Sequence, residues 1–146
     1  MYDARFEFGL FNGQADQRDA FISLRAVMHG CEMLYRVNVD EMMAYGPAEI
    51  PPLYQTGVYY RSPNTKCGDV WQDARRVLER GYADCKSLAA YRAAELTVYH
   101  RIPAKPFVRR RWLEDGFALY HVVVVLFDGS FEDPSALLGM PEGDGV

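Results

Sequence analysis

Cysteine is scarce and odd in number: Cys31, Cys67 and Cys85 are the three in the chain. No CxxC pair occurs, and no Cys/His spacing matches a zinc site. Neither a disulfide framework nor a structural metal therefore holds this fold. His29 and Cys31 are two apart, which puts them on different faces of a helix. Free thiols without an export signal point to a reducing, cytoplasmic setting. Long hydrophobic runs are also missing. None approaches the roughly 18–20 residues that span a bilayer. The first residues mix charge with apolar side chains, unlike a signal peptide. Excess positive charge is absent: 16 Lys and Arg stand against 20 Asp and Glu, a net charge of −4. That argues against a nucleic-acid partner. No glycine-rich phosphate loop, HExxH or GxSxG occurs, so no cofactor or metal is expected.

What remains is an ordinary globular composition. The 146 residues are 49% hydrophobic and 25% charged, which suits one domain with its own core over 1–146. Residues 3–11 alternate apolar and polar as a strand does, ending at Asn12-Gly13. From about Asp16 the spacing turns helical, with Phe21, Leu24, Val27 and Met28 as the buried stripe and Gly30 as a point of interruption. Met33, Leu34 and Val37 extend it, and a second short helix runs from Asp40 to Tyr45. Residues 47–67, with Pro51-Pro52 at their centre, read as a loop pinned by Tyr54, Tyr59, Tyr60 and the nearby Tyr45. Asp69 is a candidate cap for a helix ending at Gly81, and Asp84 for one from Cys85 to about Tyr99. The remainder is β: Phe107 to Leu113, a turn at Glu114-Asp115-Gly116, Phe117 to Leu126, and Ser130 to Asp133. Arg109-Arg110-Arg111 reads as the exposed side of the first of these strands, and Pro141 to Val146 as a tail.

Three residues carry candidate chemistry. Cys85 opens a helix, where unpaired amides and the dipole favour a thiolate and lower the thiol pKa. Its own amide can serve as an oxyanion donor. The adjacent Asp84 opposes the thiolate, so a histidine partner is needed. Cys85 also lies on one stripe with Leu88, Ala89 and Leu96, which is equally the place of a small core residue. His121 sits in a strand of valines, and Asp133 precedes a proline. Each is ordinary alone. Together they supply a nucleophile, a base and an acceptor that fixes the base's tautomer. His29 and His100 sit in helical or helix-end contexts with no ordered acidic partner.

Strand parity tests the combination. A two-residue turn at Asp128-Gly129 pairs Phe127 with Ser130 and sets His121 and Asp133 on opposite faces. A three-residue turn of Phe127, Asp128 and Gly129, with Gly129 left-handed, pairs Leu126 with Ser130. Asp133 then falls opposite Val123, diagonal to His121 and within reach of it. The odd-length turn is the expectation.

Gly81-Tyr82-Ala83-Asp84-Cys85-Lys86-Ser87-Leu88-Ala89 resembles the nucleophile motif of transglutaminase-like cysteine enzymes. Tyr120-His121-Val122-Val123-Val124 is similar to that family's histidine strand, and Glu132-Asp133-Pro134-Ser135 to its Asp-Pro-Ser/Thr strand. The likeness covers about residues 69–135. The short helical N-terminal part, 1–68, is similar to small stand-alone members of tailed bacteriophages and prophages. The resemblance implies an α+β, papain-like core: a helix bearing Cys packed on an antiparallel sheet bearing His and Asp. It implies Cys85 as nucleophile, His121 as general base and acid, and Asp133 as the orienting carboxylate. The activity implied is peptidase or amidase hydrolysis, or transamidation, on a protein or peptide substrate, with other phage proteins as partners. A non-catalytic virion or assembly module is the alternative. Many members carry an acid two positions after the cysteine, where this chain has Ser87. For the family's second oxyanion donor, Gln72, Trp71, Tyr54 and Gln55 are all candidates.

Overall fold

The computed structural model describes residues 3–6, 17–62, 69–112 and 118–141. The expected turns at 12–13 and 114–116, Cys67 and the tail from 142 onward lie outside them. The architecture is mixed α+β. In chain order it runs β1 (Asp3–Phe6), α1 (Gln17–Tyr45), a 3-10 turn (Leu53–Gln55), β2 (Tyr59–Tyr60), β3 (Asp69–Gln72) and α2 (Ala74–Arg80). Then follow β4 (Tyr82–Ala83), α3 (Cys85–Tyr99), β5 (Ala104–Trp112), β6 (Ala118–Leu126), β7 (Phe131–Glu132) and α4 (Pro134–Leu137).

The helix α3 is the centre. Leu88, Ala89, Ala90, Tyr91, Ala93 and Ala94 are all fully buried. A helix buried on nearly every side needs partners on nearly every side. One flank packs Ala89, Ala90, Ala93 and Leu96 against α1 and against Val122 and Val124 of β6. The other packs Leu88, Tyr91 and Ala94 against Ile50, Leu53, Val77 and Ala83. The alanines let neighbouring backbones come close. The sheet has the order β5-β6-β7, antiparallel throughout. As its edge strand, β5 tolerates Pro106, which cannot donate to a ladder.

Two helical expectations need correction. Gly30 does not interrupt α1, and no separate helix begins at Asp40: one helix runs from Gln17 to Tyr45. Gly30 is there because the Trp71 indole lies against it; a Cβ would sit 2.6 Å from the ring. The buried spine is Val27, Cys31, Leu34, Asn38 and Met42, whereas Met28 and Met33 are exposed. Nor does Asp69 cap a helix. Asp69–Gln72 is a strand paired with β1, and Asp73 caps α2 by accepting from the Arg76 amide at 2.8 Å. Gly81 ends α2 in the left-handed region, φ 79°, as its position implies.

The stretch after α1 is better ordered than a loop reading suggests. Ile50, Leu53 and Val58 are buried, and β2 pairs in parallel with β4. Tyrosines do anchor it: Tyr60 packs on the core and Tyr54 bonds Glu132, and from α3 Tyr91 and Tyr99 donate to the Pro51 and Ile50 carbonyls at 2.5 and 2.7 Å. Arg109–Arg111 belong to β5, and alternation sends Arg110 to the opposite face from its neighbours.

A carboxyl pair joins α1 to α2. Asp73 is wholly buried. Burial first, then a hydrogen bond to Asp73 and its charge, raise Glu41 to about 8, against the Arg75 amide that lowers it. The folded chain thus keeps this proton to a higher pH than the unfolded chain does. Stability from this site is full below the ordinary carboxyl range and is lost as pH climbs toward 8. The melting temperature should therefore fall between about pH 5 and 8, and Glu41→Gln should flatten that fall. Equal slopes in both proteins would contradict the assignment.

Candidate active site

The polypeptide delivers Cys85 through a short strand and a cap. With β4 paired to β2, Asp84 stands at the head of α3, its Oδ1 accepting from the Ser87 amide at 3.3 Å. Its Oδ2 accepts from Lys86 Nζ at 2.5 Å, an ion pair buried on both sides. The Lys86 ammonium lies 5.3 Å from the Trp71 ring centre. Ser87 takes the position two after the cysteine. It is fully buried, and its hydroxyl accepts from the Gln72 amide at 3.1 Å.

The backbone amides of Val122 and Lys86 act on the Cys85 thiol. Val122 is the residue after His121, so the thiol lies beside the histidine strand. These amides and Lys86 lower the thiol pKa, but burial and then Asp84 outweigh them and push it up to about 11. The expectation of a lowered pKa is corrected here: desolvation exceeds what a helix terminus supplies. The resting form is the neutral thiol. Cys31, on α1, is buried against the same cluster and pushed up to about 12, by burial first and Cys85 second.

His121 and Asp133 meet. The turn has three residues: Leu126 and Gly129 close it through a 2.9 Å bond, and Gly129 has φ 83°. Val125 then pairs with Phe131 and Val124 with Glu132, the register that parity required. His121 Nε2 lies 2.8 Å from Asp133 Oδ2, and the imidazole is 3% exposed. The other oxygen, Oδ1, accepts from the Ser135 and Ala136 amides at 3.1 and 3.4 Å. The two carboxylate oxygens therefore act separately, one capping α4 and the other holding the ring. With Nε2–H donated to Asp133, Nδ1 is the nitrogen left to accept a proton.

A second set of residues braces this pair, and sequence spacing does not reveal most of it. Arg92, two turns along α3 from Cys85, holds Glu132 through Nε and Nη2 at 2.7 and 3.3 Å. It also bonds Glu95, a fully buried carboxylate that accepts from the Leu53 amide at 2.6 Å. Tyr54 donates to Glu132 at 2.8 Å. His100, expected to lack an acidic partner, has Glu95 at 2.9 Å. The i, i+3 spacing of Arg92 and Glu95 is the one local sign of this network. The helix that carries the cysteine is thus tied to the residue preceding Asp133. His29 is exposed on α1.

Among the candidate oxyanion donors, Tyr54 is committed to Glu132. Gln72 is engaged by Arg80 at 2.5 Å and by the Tyr82 carbonyl at 3.3 Å in the amide orientation that satisfies its neighbours. Trp71 is buried beneath Lys86, and Gln55 is exposed. Among the described residues, no three His, Cys, Asp or Glu side chains converge as metal ligands. No helix among them is long and apolar enough to cross a membrane.

No family model and no solved structure matches the chain. A cysteine–tRNA ligase of Halorhodospira halophila is similar to it, 33% identical over 98 residues. That alignment takes in 65% of this chain but 19% of the ligase, so the chain spans about a fifth of that relative's length.

The two roles of Asp133 can be separated. Asp133→Ala removes cap and ring partner together and should cost about 1–2 kcal/mol in urea unfolding. Asp133→Asn keeps an oxygen for α4 and should recover most of that loss. If Asn is as destabilising as Ala, the cap does not matter.

Proposed function

We propose that this protein is a cysteine-dependent amide-bond enzyme of transglutaminase-like type, working through a Cys85–His121–Asp133 triad and a thioester acyl-enzyme. The core read this way is papain-like: α3 bears the cysteine, β6 bears the histidine, and the aspartate follows β7 as the cap of α4. The observation that carries the reading is the buried His121–Asp133 bond of 2.8 Å, with the backbone amide of Val122, the residue after His121, acting on the helix-initial thiol. A structural histidine among valines needs no carboxylate across a turn whose length must be odd to supply one.

The raised thiol pKa shapes the mechanism. In this reading Cys85 does not wait as a thiolate. Its proton passes to His121 Nδ1 as sulfur attacks the carbonyl carbon, and Asp133 stabilises the imidazolium that forms. The Cys85 amide at the head of α3 donates to the developing oxyanion. Collapse of the tetrahedral intermediate breaks the C–N bond, and the leaving amine takes the proton back from His121. Water as acceptor gives hydrolysis and releases the acid; an amine gives transamidation. Hydrolysis of a peptide or isopeptide bond is the simpler outcome, with a polypeptide as substrate. In a phage-type setting that polypeptide would be another phage protein.

A second reading has one observation in its favour. A thiol raised to about 11 is what a non-catalytic binding or assembly module on the same fold would keep.

Iodoacetamide labelling distinguishes them, with Cys31 and Cys67 replaced by Ser. In the enzyme, labelling of Cys85 at neutral pH should fall on the order of 10²-fold in His121→Ala, since the base is lost. Both proteins should converge as pH approaches 11, where the thiol ionises unaided. Rates that are slow and equal at neutral pH would refute the enzyme and leave the binding module.

A further inference from the structure

The sheet face that carries His121 is basic and aromatic. Strand alternation puts Lys105, Phe107, Arg109 and Arg111 of β5 on one face with His121 of β6 and Phe131 of β7. Contacts agree with this placement: the Phe107 and Phe131 rings are 5.2 Å apart, and the Arg109 guanidinium lies 4.5 Å from the Phe131 ring centre. Arg109 is the direct cross-strand partner of His121. The one described carboxylate on this face, Asp133, is taken up by His121 and by the cap of α4. Among the described residues, Lys105, Arg109 and Arg111 have no ion pair. Lys105 and Arg111 are exposed, and Phe107 and Phe131 are 42% and 49% exposed. Three cations without an ion pair among the described residues, around two half-exposed rings in a chain of net charge −4, form a local feature at odds with the whole.

We propose that this face binds an acidic, aromatic-containing segment of a polypeptide, along the strand paired with the one that carries His121. Arginine and lysine meet its carboxylates, and the Phe107–Phe131 pair takes its ring. The choice of a polypeptide rests on the amide-bond reading above. Charge favours it independently over a nucleic acid. A chain of net charge −4 repels a long polyanion, whereas a short acidic segment meets the local cations alone.

Binding is tested without turnover, using the full chain carrying Cys85→Ala. The probes are a short fluorescein-labelled peptide of alternating Glu and Tyr, its Gln/Tyr analogue, and a single-stranded oligonucleotide of similar length, read by anisotropy. The Glu/Tyr peptide should bind more tightly than the analogue and lose affinity with salt. Lys105→Glu with Arg111→Glu should weaken it by about tenfold or more, and the two Gln substitutions by an intermediate amount. Phe131→Ala should weaken both peptides. Equal affinity for the Glu and Gln peptides, or no response to charge reversal, overturns the proposal. Tighter binding of the oligonucleotide overturns it in favour of a nucleic-acid surface. Self-association abolished by the same reversal overturns it in favour of a second copy of the chain. Failure here with His121-dependent labelling intact sinks this inference alone. Peptide binding without His121-dependent labelling sinks the enzymatic reading and leaves a binding face.

Discussion

The described residues are arranged around a helix that has no solvent side along most of its length. The buried flanks of α3 must be covered by α1 and the sheet on one side, and by α2 and the segment 46–60 on the other. Four alanines make that approach close, and each large side chain buried against them contributes roughly 1.5–3 kcal/mol. The constraint has a chemical consequence. A helix enclosed in this way must begin somewhere, and it begins at Asp84-Cys85, beside the β6 backbone at Val122. The position of the thiol follows from how the core is filled.

Burial then sets the chemistry of that thiol. Helix dipole, Lys86 and two amides favour the anion, while desolvation and Asp84 oppose it, and desolvation wins. Lys86 is held by Asp84 at 2.5 Å, so its charge is largely spent before it reaches the sulfur. A base that acts during attack reconciles a neutral thiol with nucleophilic chemistry. The imidazole is suited to this because Asp133 fixes one nitrogen and leaves the other. The bracing from Arg92 to Glu132 keeps the helix and the β7 end in one frame, so the parts of the candidate triad cannot drift independently.

How much of this could be read from residues alone depended on whether the deciding contact was local. The Asp84 cap, Gly81 and the odd turn at Phe127–Gly129 are set by neighbours within a few positions, and all were legible. The continuity of α1 was not, because Gly30 is explained by Trp71, 41 positions away in the chain. Asp69 reads as a helix cap in sequence, but β1 claims its strand, again a distant pairing, and Asp73 takes the cap. The Arg92–Glu132 tie spans 40 residues and has no sequence signature. The thiol pKa was misjudged for the same reason: a helix start is visible in sequence, but the packing that desolvates it is not.

The proposed chemistry turns on Asp133 holding the Nε2–H tautomer of His121 and leaving Nδ1 open for the thiol proton. Nitrogen-15 chemical shifts of His121, measured in histidine-labelled protein above neutral pH, read that directly. A protonated Nε2 and a bare Nδ1 are expected, with the preference weakened in Asp133→Ala. A proton on Nδ1 in the unaltered protein would contradict the triad, because no basic nitrogen would then remain to serve Cys85.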